Sequence, residues 1–424
     1  MRIAVIAIGS RGDVQPYVAL GKGLREAGHS VRLVTHQNFE ALVNSNGLEF
    51  WPVRGNSQDV AESPEMRELL EKGKFLAIMR RTAQEAERAS VQWAEDGLAA
   101  CQGMDLLIAG LGFIGFALAE KLGLPLVQAY LVPFTPTRAF PGPLIPQALP
   151  NLGGSFNRLT HHLTRQMMWQ PFRSADSLAR RKVLGLPAAP FRGPYNSEQA
   201  RGLPVLYGFS PSVISAPPDW GEEIHVTGFW LLDSADDWAA PPDLMDFLQA
   251  GPPPVYIGFG SMSTRKPEET ADLVVEALKR TGQRAILLSG WGGLQKAALP
   301  DSVFMIESIP HSWLFPRVSA VIHHGGAGTT AAGLRAGVPS IVIPFFADQP
   351  FWGRCVEELG VGPAPIPRKE LTAERLAKAV QAAVTDQAMR QRAADLGSRI
   401  QAEDGIGRAV EVIQEIGGRG AAQG

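Results

Sequence analysis

The sequence predicts two α/β domains, each built on a parallel sheet, and three observations predict it. At 424 residues the chain is too long for a single hydrophobic core. Short continuous apolar runs alternate with longer stretches of helical periodicity. That alternation breaks off at a proline-rich stretch and then starts again.

Ile3 to Ile8 is the first such run, rich in Ile and Val, as expected of a strand buried on both faces. A glycine turn (Gly9, Gly12) leads into a helix carrying Val18, Leu20 and Leu24 and stopped by Gly28. Val31 to Thr35, Leu106 to Ala109 and Leu124 to Ala129 read as further strands, the last two with a helix between them. Residues 57–100 are long, charged and mostly helical in pattern, and a Pro/Gly-rich loop runs from Pro133 to Gly154; long excursions of this kind are often functional. Prolines cluster at Pro217, Pro218, Pro241, Pro242 and Pro252 to Pro254, with Asp233, Asp236 and Asp237 among them, which suits an inter-domain linker. The rhythm returns with Val255 to Phe259, Ala285 to Leu288, Ala320 to Ile322 and Ser340 to Ile343, and helices fill the chain from Thr372 to Ile416. The expected division is 1–218, 219–400 with its proline-rich lead, and a C-terminal helix and tail at 401–424. Two such domains facing across a cleft would place their chemistry on the loops after the strands.

Composition removes several function classes. A formal net charge of -2 gives no general attraction to nucleic acid or to an acidic polymer. Apolar residues at 45% and charged residues at 19% fit an ordinary soluble fold. The only two cysteines, Cys101 and Cys355, lie far apart and form no disulfide framework or metal-ligand spacing. The N-terminal apolar run is too short for a signal peptide, and no segment has the ~20 apolar residues of a membrane span, so the expected location is the cytoplasm.

Four loops carry candidate chemistry. His323-His324-Gly325-Gly326-Ala327-Gly328-Thr329-Thr330 follows a strand and opens a helix, so its amides, its hydroxyls and one histidine could bind an anion; glycine there also serves a tight turn. No G-x-x-x-x-G-K-[ST] or D-x-D pattern is present, and after the first strand Gly9 and Gly12 lack the third partner of a G-x-G-x-x-G, so a diphosphate would be neutralised by the protein itself, without a metal. Asp348-Gln349 offers acceptors and donors suited to vicinal hydroxyls, or a plain helix N-cap. Asp13, in Gly9-Ser10-Arg11-Gly12-Asp13, is either a general base or a first-turn carboxylate. Ser261, in Gly258-Phe259-Gly260-Ser261, is either a phosphate donor or a turn residue.

Together these loops resemble the bacterial and fungal branch of the UDP-glycosyltransferase superfamily (glycosyltransferase family 1), which includes sterol 3-β-glucosyltransferases and antibiotic glycosyltransferases. The resemblance is strongest in GSRGDVQPYVALGKGLREAGHSVRLVT from Gly9 and IPHSWLFPRVSAVIHHGGAGTTAAGLRAGVPSIVIPFFADQPFWG from Ile309. It implies the GT-B fold, with two Rossmann-like domains, the acceptor in the first and a nucleotide sugar in the second. It implies that His323, Gly325 and the amides of Gly326, Ala327, Gly328 and Thr329 hold the diphosphate, with Ser10, Gly12 and Ser261 near the donor. Trp291 and the backbone of Ile309 would border the base, and Asp348 and Gln349 the sugar. Asp13 would be the general base of an inverting transfer from a UDP-hexose to an apolar hydroxyl, with no further cofactor. Plant relatives carry Glu where this chain has Ala331, which leaves UDP and dTDP both open as donor nucleotide. A GT-B epimerase and a non-catalytic GT-B partner protein are the other readings. The apolar excursions at Phe75 to Met79 and Pro133 to Pro150 argue against the first, and the presence of donor and base residues argues against the second. Met167, Met168, Trp169 and Phe172, set among Arg158, Arg165, Arg173, Arg180, Arg181 and Lys182, form either a membrane-surface helix or an ordinary amphipathic one with a solvated basic face.

Overall fold

The computed structural model describes residues 1–55, 63–71, 74–112, 114–145, 152–196, 202–233, 238–259, 267–288 and 299–421. The chain divides into two compact units. The first is Met1–Met66, Phe75–Leu232 and Asp404–Gly424; the second is Arg67–Lys74 and Asp233–Glu403. The changeover at Leu232 and Asp233 lies inside the proline-rich stretch.

The first unit holds a seven-stranded parallel sheet: β1 (Arg2–Ile6), β2 (Ser30–His36), β3 (Glu49–Val53), β4 (Leu106–Ala109), β5 (Leu126–Tyr130), β6 (Val205–Tyr207) and β7 (Ile224–Val226), in the order β3-β2-β1-β4-β5-β6-β7. The order reverses beside β1, which pairs with both β2 and β4. After the exposed Arg2, β1 is apolar because both of its faces are covered. Ile3 and Val5 pack with α1 (Arg11–Glu26), and Ala4 and Ile6 face the opposite cluster. Further helices are α2 (Glu40–Ser45), α3 (Pro64–Glu71), α4 (Phe75–Cys101), α5 (Ile114–Leu122), α6 (Gly154–Trp169) and α7 (Arg173–Ala179). The sequence pattern missed β3, β6 and β7. β3 is an edge strand containing Pro52, where a missing N–H is tolerated, and β6 and β7 are three residues each, too short to show a period.

The second unit is a five-stranded parallel sheet. Its strands are β8 (Val255–Gly258), β9 (Ala285–Leu288), β10 (Val303–Ile306), β11 (Ala320–His323) and β12 (Ser340–Val342), in the order β10-β9-β8-β11-β12, reversing beside β8. Its helices are α8 (Pro242–Gln249), α9 (Pro267–Thr281), α10 (His311–Leu314), α11 (Ala327–Ala336), α12 (Gln349–Glu358), α13 (Ala373–Thr385) and α14 (Gln387–Gln401). β10, an edge strand with three half-buried residues, also escaped the pattern. The last helix, α15 (Gly405–Ala421), returns to the first unit, where Ala409, Val410, Val412 and Ile413 complete the core beneath β1. No helix among the described residues is long and apolar enough to cross a membrane.

Two glycines let α11 and α14 meet backbone to backbone. Gly337 ends α11 in the left-handed region at φ 70°, and a Cβ on Gly397 would lie 2.5 Å from the Gly337 Cα. Gly397→Ala should therefore destabilise the second unit by about 1–3 kcal/mol, the usual range for overpacking. Gly418→Ala, whose Cβ would meet nothing within 4 Å, should be neutral or slightly stabilising. Thermal unfolding of the two variants side by side checks this; equal melting temperatures would refute it.

Candidate functional site

In both sheets the loops of interest leave the carboxyl ends of strands, and those after β1 and β11 lie beside the reversal in strand order, where open α/β sheets bind ligands. In the first unit the chain leaves β1 through Gly9 and Ser10 and enters α1. Gly9 has φ 149°, and a Cβ there would sit 2.5 Å from Asp13 Oδ2, so the close turn needs glycine. The Ser10 N–H and the Ser10 hydroxyl both donate to Asp13 Oδ2, each at 2.8 Å. Asp13 thus closes the start of the helix with one oxygen. Its Oδ1 makes no hydrogen bond among the described residues. Asp13 is exposed, yet desolvation by surrounding protein raises its pKa, opposed by the two bonds from Ser10. Because the side chain still meets solvent, screening keeps that rise modest. Gly12 is exposed in the same turn, and Pro16, four residues on, lacks the N–H that would pair with the Gly12 carbonyl.

In the second unit β11 ends on His323, which is fully buried. The Gly325 N–H donates to His323 Nδ1 at 3.0 Å. A neutral imidazole that accepts at Nδ1 must carry its hydrogen on Nε2, and this buried Nε2 has no partner among the described residues. Burial, then the neighbouring His324 and His311, pull the His323 pKa down to about 3. His323 is therefore a neutral hydrogen-bond donor, not a cation. Gly325, at φ 90°, makes the turn; a Cβ there would lie 2.7 Å from Val342 Cγ1 and 3.0 Å from the Gln349 carbonyl oxygen.

Gly326 caps α11, and no side chain caps its N-terminus. The Thr330 N–H and Oγ1 both donate to the Gly326 carbonyl at 2.9 Å. This corrects one expectation: the Thr330 hydroxyl is buried and engaged within the helix, so it offers no donor to an anion. The amides of Ala327, Gly328 and Thr329, which have no intrahelical partner, remain. Gly328 has open space where a Cβ would be.

After β12 the chain passes Phe345, Phe346 and Ala347, the last at φ 56°, the only non-glycine positive φ among the described residues. Gln349 is buried, and its Oε1 accepts from the Phe345 and Phe346 N–H groups at 2.8 and 3.2 Å, which holds the loop and leaves only its Nε2 donors for a ligand. Asp348 caps α12 with backbone geometry, and its Oδ2 accepts from Trp352 Nε1 at 3.1 Å. The i,i+4 spacing of Asp348 and Trp352 was a readable signal that the sequence analysis did not use. Ile309, after β10, buries its side chain in a core cluster with Tyr256 and Phe315, so only its backbone is open to a ligand role. Next to it, His311 stacks on Phe315 at 4.3 Å and meets the Tyr256 hydroxyl at 3.2 Å. His323, Gly325 to Thr329, Asp348, Gln349 and Ile309 thus share one sheet edge. Ser261 and Trp291 lie outside the described residues.

Comparison with known proteins fits this geometry. Residues 3–141 match the family described as the glycosyltransferase family 28 N-terminal domain, and residues 288–416 match the erythromycin biosynthesis protein CIII-like C-terminal domain. A sterol 3-β-glucosyltransferase of Cryptococcus neoformans is 39% identical over 97% of this chain, and one of Arabidopsis thaliana is 37% identical over 97%. The chain spans 27% of the length of the fungal relative and 68% of the plant one. Among solved structures, the calicheamicin glycosyltransferase CalG4 superposes with a TM-score of 0.69 at 19% identity, covering 99% of both chains. The glycosyltransferase VinC, in complex with dTDP, gives 0.67 at 20% identity, covering 99% of this chain and 100% of its own. At these identities the structural likeness speaks for the fold alone, which is GT-B.

The tautomer of His323 is directly measurable. Nitrogen-15 NMR of the imidazoles should find His323 neutral and protonated at Nε2 from neutral pH down to mildly acidic pH. The linked effect on stability has a definite sign. Below the ordinary histidine pKa of ~6.5 the unfolded chain takes up a proton that the folded one refuses, so this histidine removes stability as pH falls from there toward 3. Titration near 6.5 in the folded protein would contradict the burial account.

Proposed function

We propose that this chain, which belongs to the family of the sterol 3-β-glucosyltransferases, transfers a glucosyl group from UDP-glucose to the hydroxyl of a sterol or a similar apolar alcohol, inverting the anomeric carbon. The observation that carries the proposal is the 37–39% identity with those enzymes over 97% of the chain, together with family matches at 3–141 and 288–416 that include both loop systems. The first unit would take the acceptor and the second the donor.

The chemistry follows from the groups described above. The Nε2–H of His323 and the amides of Ala327, Gly328 and Thr329 are preorganised donors for a diphosphate, supported by the dipole of α11. Gln349 Nε2 and the Asp348 carboxylate would hold sugar hydroxyls. The acceptor oxygen attacks the anomeric carbon as the bond to the diphosphate oxygen breaks, and the acceptor proton passes to Asp13 Oδ1. UDP leaves with the bonding pair onto the donor loop. One displacement turns an α-linked donor into a β-glycoside. An ordinary aspartate, with a pKa near ~3.9, is a weak base for an alcohol, so proton transfer comes late, once C–O bonding has acidified the hydroxyl. The upward shift at Asp13 improves its match to that task. A dTDP-sugar donor is the second reading, prompted by the dTDP named for VinC; that neighbour is only 20% identical, so UDP is preferred.

Asp13→Asn keeps the size and the bond from the Ser10 N–H, and removes proton acceptance. It should lower kcat by ~10²–10⁴ with a saturating acceptor while changing stability by no more than about 1 kcal/mol. In the wild type, kcat/KM should fall on the acid side as Asp13 is protonated. That limb should lie above the ordinary aspartate range, because the pKa is raised, and should vanish from the residual activity of the variant. Near wild-type kcat in Asp13→Asn would assign the proton to another group.

His323→Ala should behave differently. Loss of a neutral donor to a charged phosphate should weaken UDP binding by about 1–3 kcal/mol, read by calorimetry with UDP alone. Asp13→Asn should leave that affinity unchanged. Wild-type UDP affinity in His323→Ala would remove the histidine from the donor site.

A further inference from the structure

The sequence leaves one charge feature unexplained. Although the whole chain carries -2, residues 121–197 hold nine Lys or Arg and a single acid, Asp176. Asp176 is buried and bonded to Arg180 at 3.1 Å, so it does not offset the surface charge. The helix α6 lies in the middle of this segment and has no acidic residue.

The residues first suspected here are not the outward ones. Trp169 is buried and donates to the Phe191 carbonyl, and Met167, Met168 and Phe172 are half-buried. The outward face of α6 lies a turn or two earlier, at Ser155, Arg158, Leu159, His162 and Leu163, which recur at helical spacing. On this face Leu159 is 54% exposed and Leu163 is 48%, with Leu152 just before the helix at 61%. Gln166 and Gln170 continue the row and donate to the carbonyls of Arg192 and Phe191, which brings Phe191, 68% exposed, to its end. A helix of a water-soluble surface would carry polar side chains at these positions. Arg138, Arg158 and Arg192, all exposed residues, lie beside the apolar row. Arg138 is tied to α6 through Asn157 Nδ2, which donates to its carbonyl at 3.0 Å. Asp219 accepts from the Thr137 hydroxyl at 2.6 Å and the Arg138 N–H at 2.9 Å, and its charge, felt by Arg158, offsets part of this basic face without matching it.

We propose that the outward face of α6, with Leu152, Leu159, Leu163 and Phe191 ringed by Arg138, Arg158 and Arg192, docks on an anionic lipid bilayer. Exposed leucines and a phenylalanine enter the boundary between headgroups and acyl chains, and the arginines meet lipid phosphates. The charge decides between occupants: Arg180 is held by Asp176 and Glu120 and Arg165 by the Phe134 and Tyr195 carbonyls, but Arg138, Arg158, Arg181, Lys182 and Arg192 are exposed, and a surface so charged repels a second copy of itself and matches an anionic one. The placement serves the transfer reaction, and in this respect the inference rests on the sterol reading. The loop from Pro133 to Arg138 follows β5 at the carboxyl edge of the sheet that carries Asp13. It is braced against α6 by Arg165, which donates to the Phe134 carbonyl at 3.1 Å. An acceptor that resides in a bilayer would be met where it resides.

The test is co-sedimentation of the full chain with phosphatidylcholine vesicles, with and without phosphatidylglycerol, in the absence of donor and acceptor. Binding is thereby read independently of sterol turnover. The wild type should bind vesicles containing phosphatidylglycerol, more weakly as salt is raised. Leu159→Gln with Leu163→Gln should reduce that binding by at least about tenfold. Arg158→Glu with Arg192→Glu should abolish the preference for the anionic lipid. The leucine variant should keep its melting temperature and its turnover of sterol carried in cyclodextrin, which separates lost docking from lost folding. Failure of the wild type to bind, or equal binding by the leucine variant, overturns the proposal. So does a wild-type dimer in light scattering that the leucine variant dissociates, since a second copy would then be the occupant.

Discussion

A strand buried on both faces has no place for a polar side chain except at its ends. β1, β8 and β11 are such strands, with alternate residues assigned to opposite apolar clusters. The polar groups of the candidate site are consequently carried at the ends of these strands and on the loops after them. His323 marks the limit of the rule. It is the last residue of β11, fully buried, and the fold accepts it because the Gly325 N–H satisfies one ring nitrogen two residues later. The other nitrogen keeps its hydrogen without a protein partner. A buried donor left in that state costs on the order of 1–3 kcal/mol, and such a cost is expected where a ligand relieves it.

Desolvation acts on both ends of the proposed reaction in the same sense. It raises the pKa of Asp13 and lowers that of His323, so each group moves toward its neutral form. For Asp13 this makes a better base. For His323 it makes a donor that stabilises negative charge without bringing a competing proton. A diphosphate bound there would be met by fixed dipoles: one imidazole N–H, three helix amides and the helix that carries them. Dipoles held by the fold need no reorganisation when the leaving charge develops. The Gln349 Oε1 bonds to Phe345 and Phe346, together with the strained Ala347, show the same economy on the neighbouring loop. There a buried amide freezes the backbone that presents Asp348.

Most of the sheet was legible because burial on two faces writes an uninterrupted apolar run. β1, β4, β8, β9, β11 and β12 carry one, and β2 and β5 carry one broken only by Arg32 and Gln128. The strands that escaped are short or lie at edges, where one face stays wet and the run breaks up, as in Glu49–Val53 and Val303–Ile306. The site was legible as residue types at spacings, and less so as hydrogen bonds. Cap and base looked like rival roles for Asp13 in sequence. In the folded chain both Ser10 donors converge on Oδ2, which leaves Oδ1 for the proposed base role. Thr330 looked like a ligand donor and proved to be bonded to the carbonyl four residues back, a choice that depends on a rotamer no sequence pattern encodes.

Net charge hid as much as it disclosed. A value of -2 excludes a general polyelectrolyte partner, yet it averages a segment at +8 against a remainder at -10. The segregation has a structural counterpart. The basic segment runs from the end of α5 to just before β6, and it contains α6, α7 and the braced loop after β5. Except for Lys121, these basic residues lie between two adjacent strands of the sheet, so they can vary in charge and exposure without disturbing the register of β5 against β6. The cores beneath β1 and β8 need apolar side chains and leave little freedom. An insertion that enters and leaves at neighbouring strands is where a GT-B chain can acquire a surface for a particular physical setting of its acceptor. The exposed leucines of α6 lie in this excursion, and a contiguous apolar patch of that kind is what the proposed bilayer contact would cover.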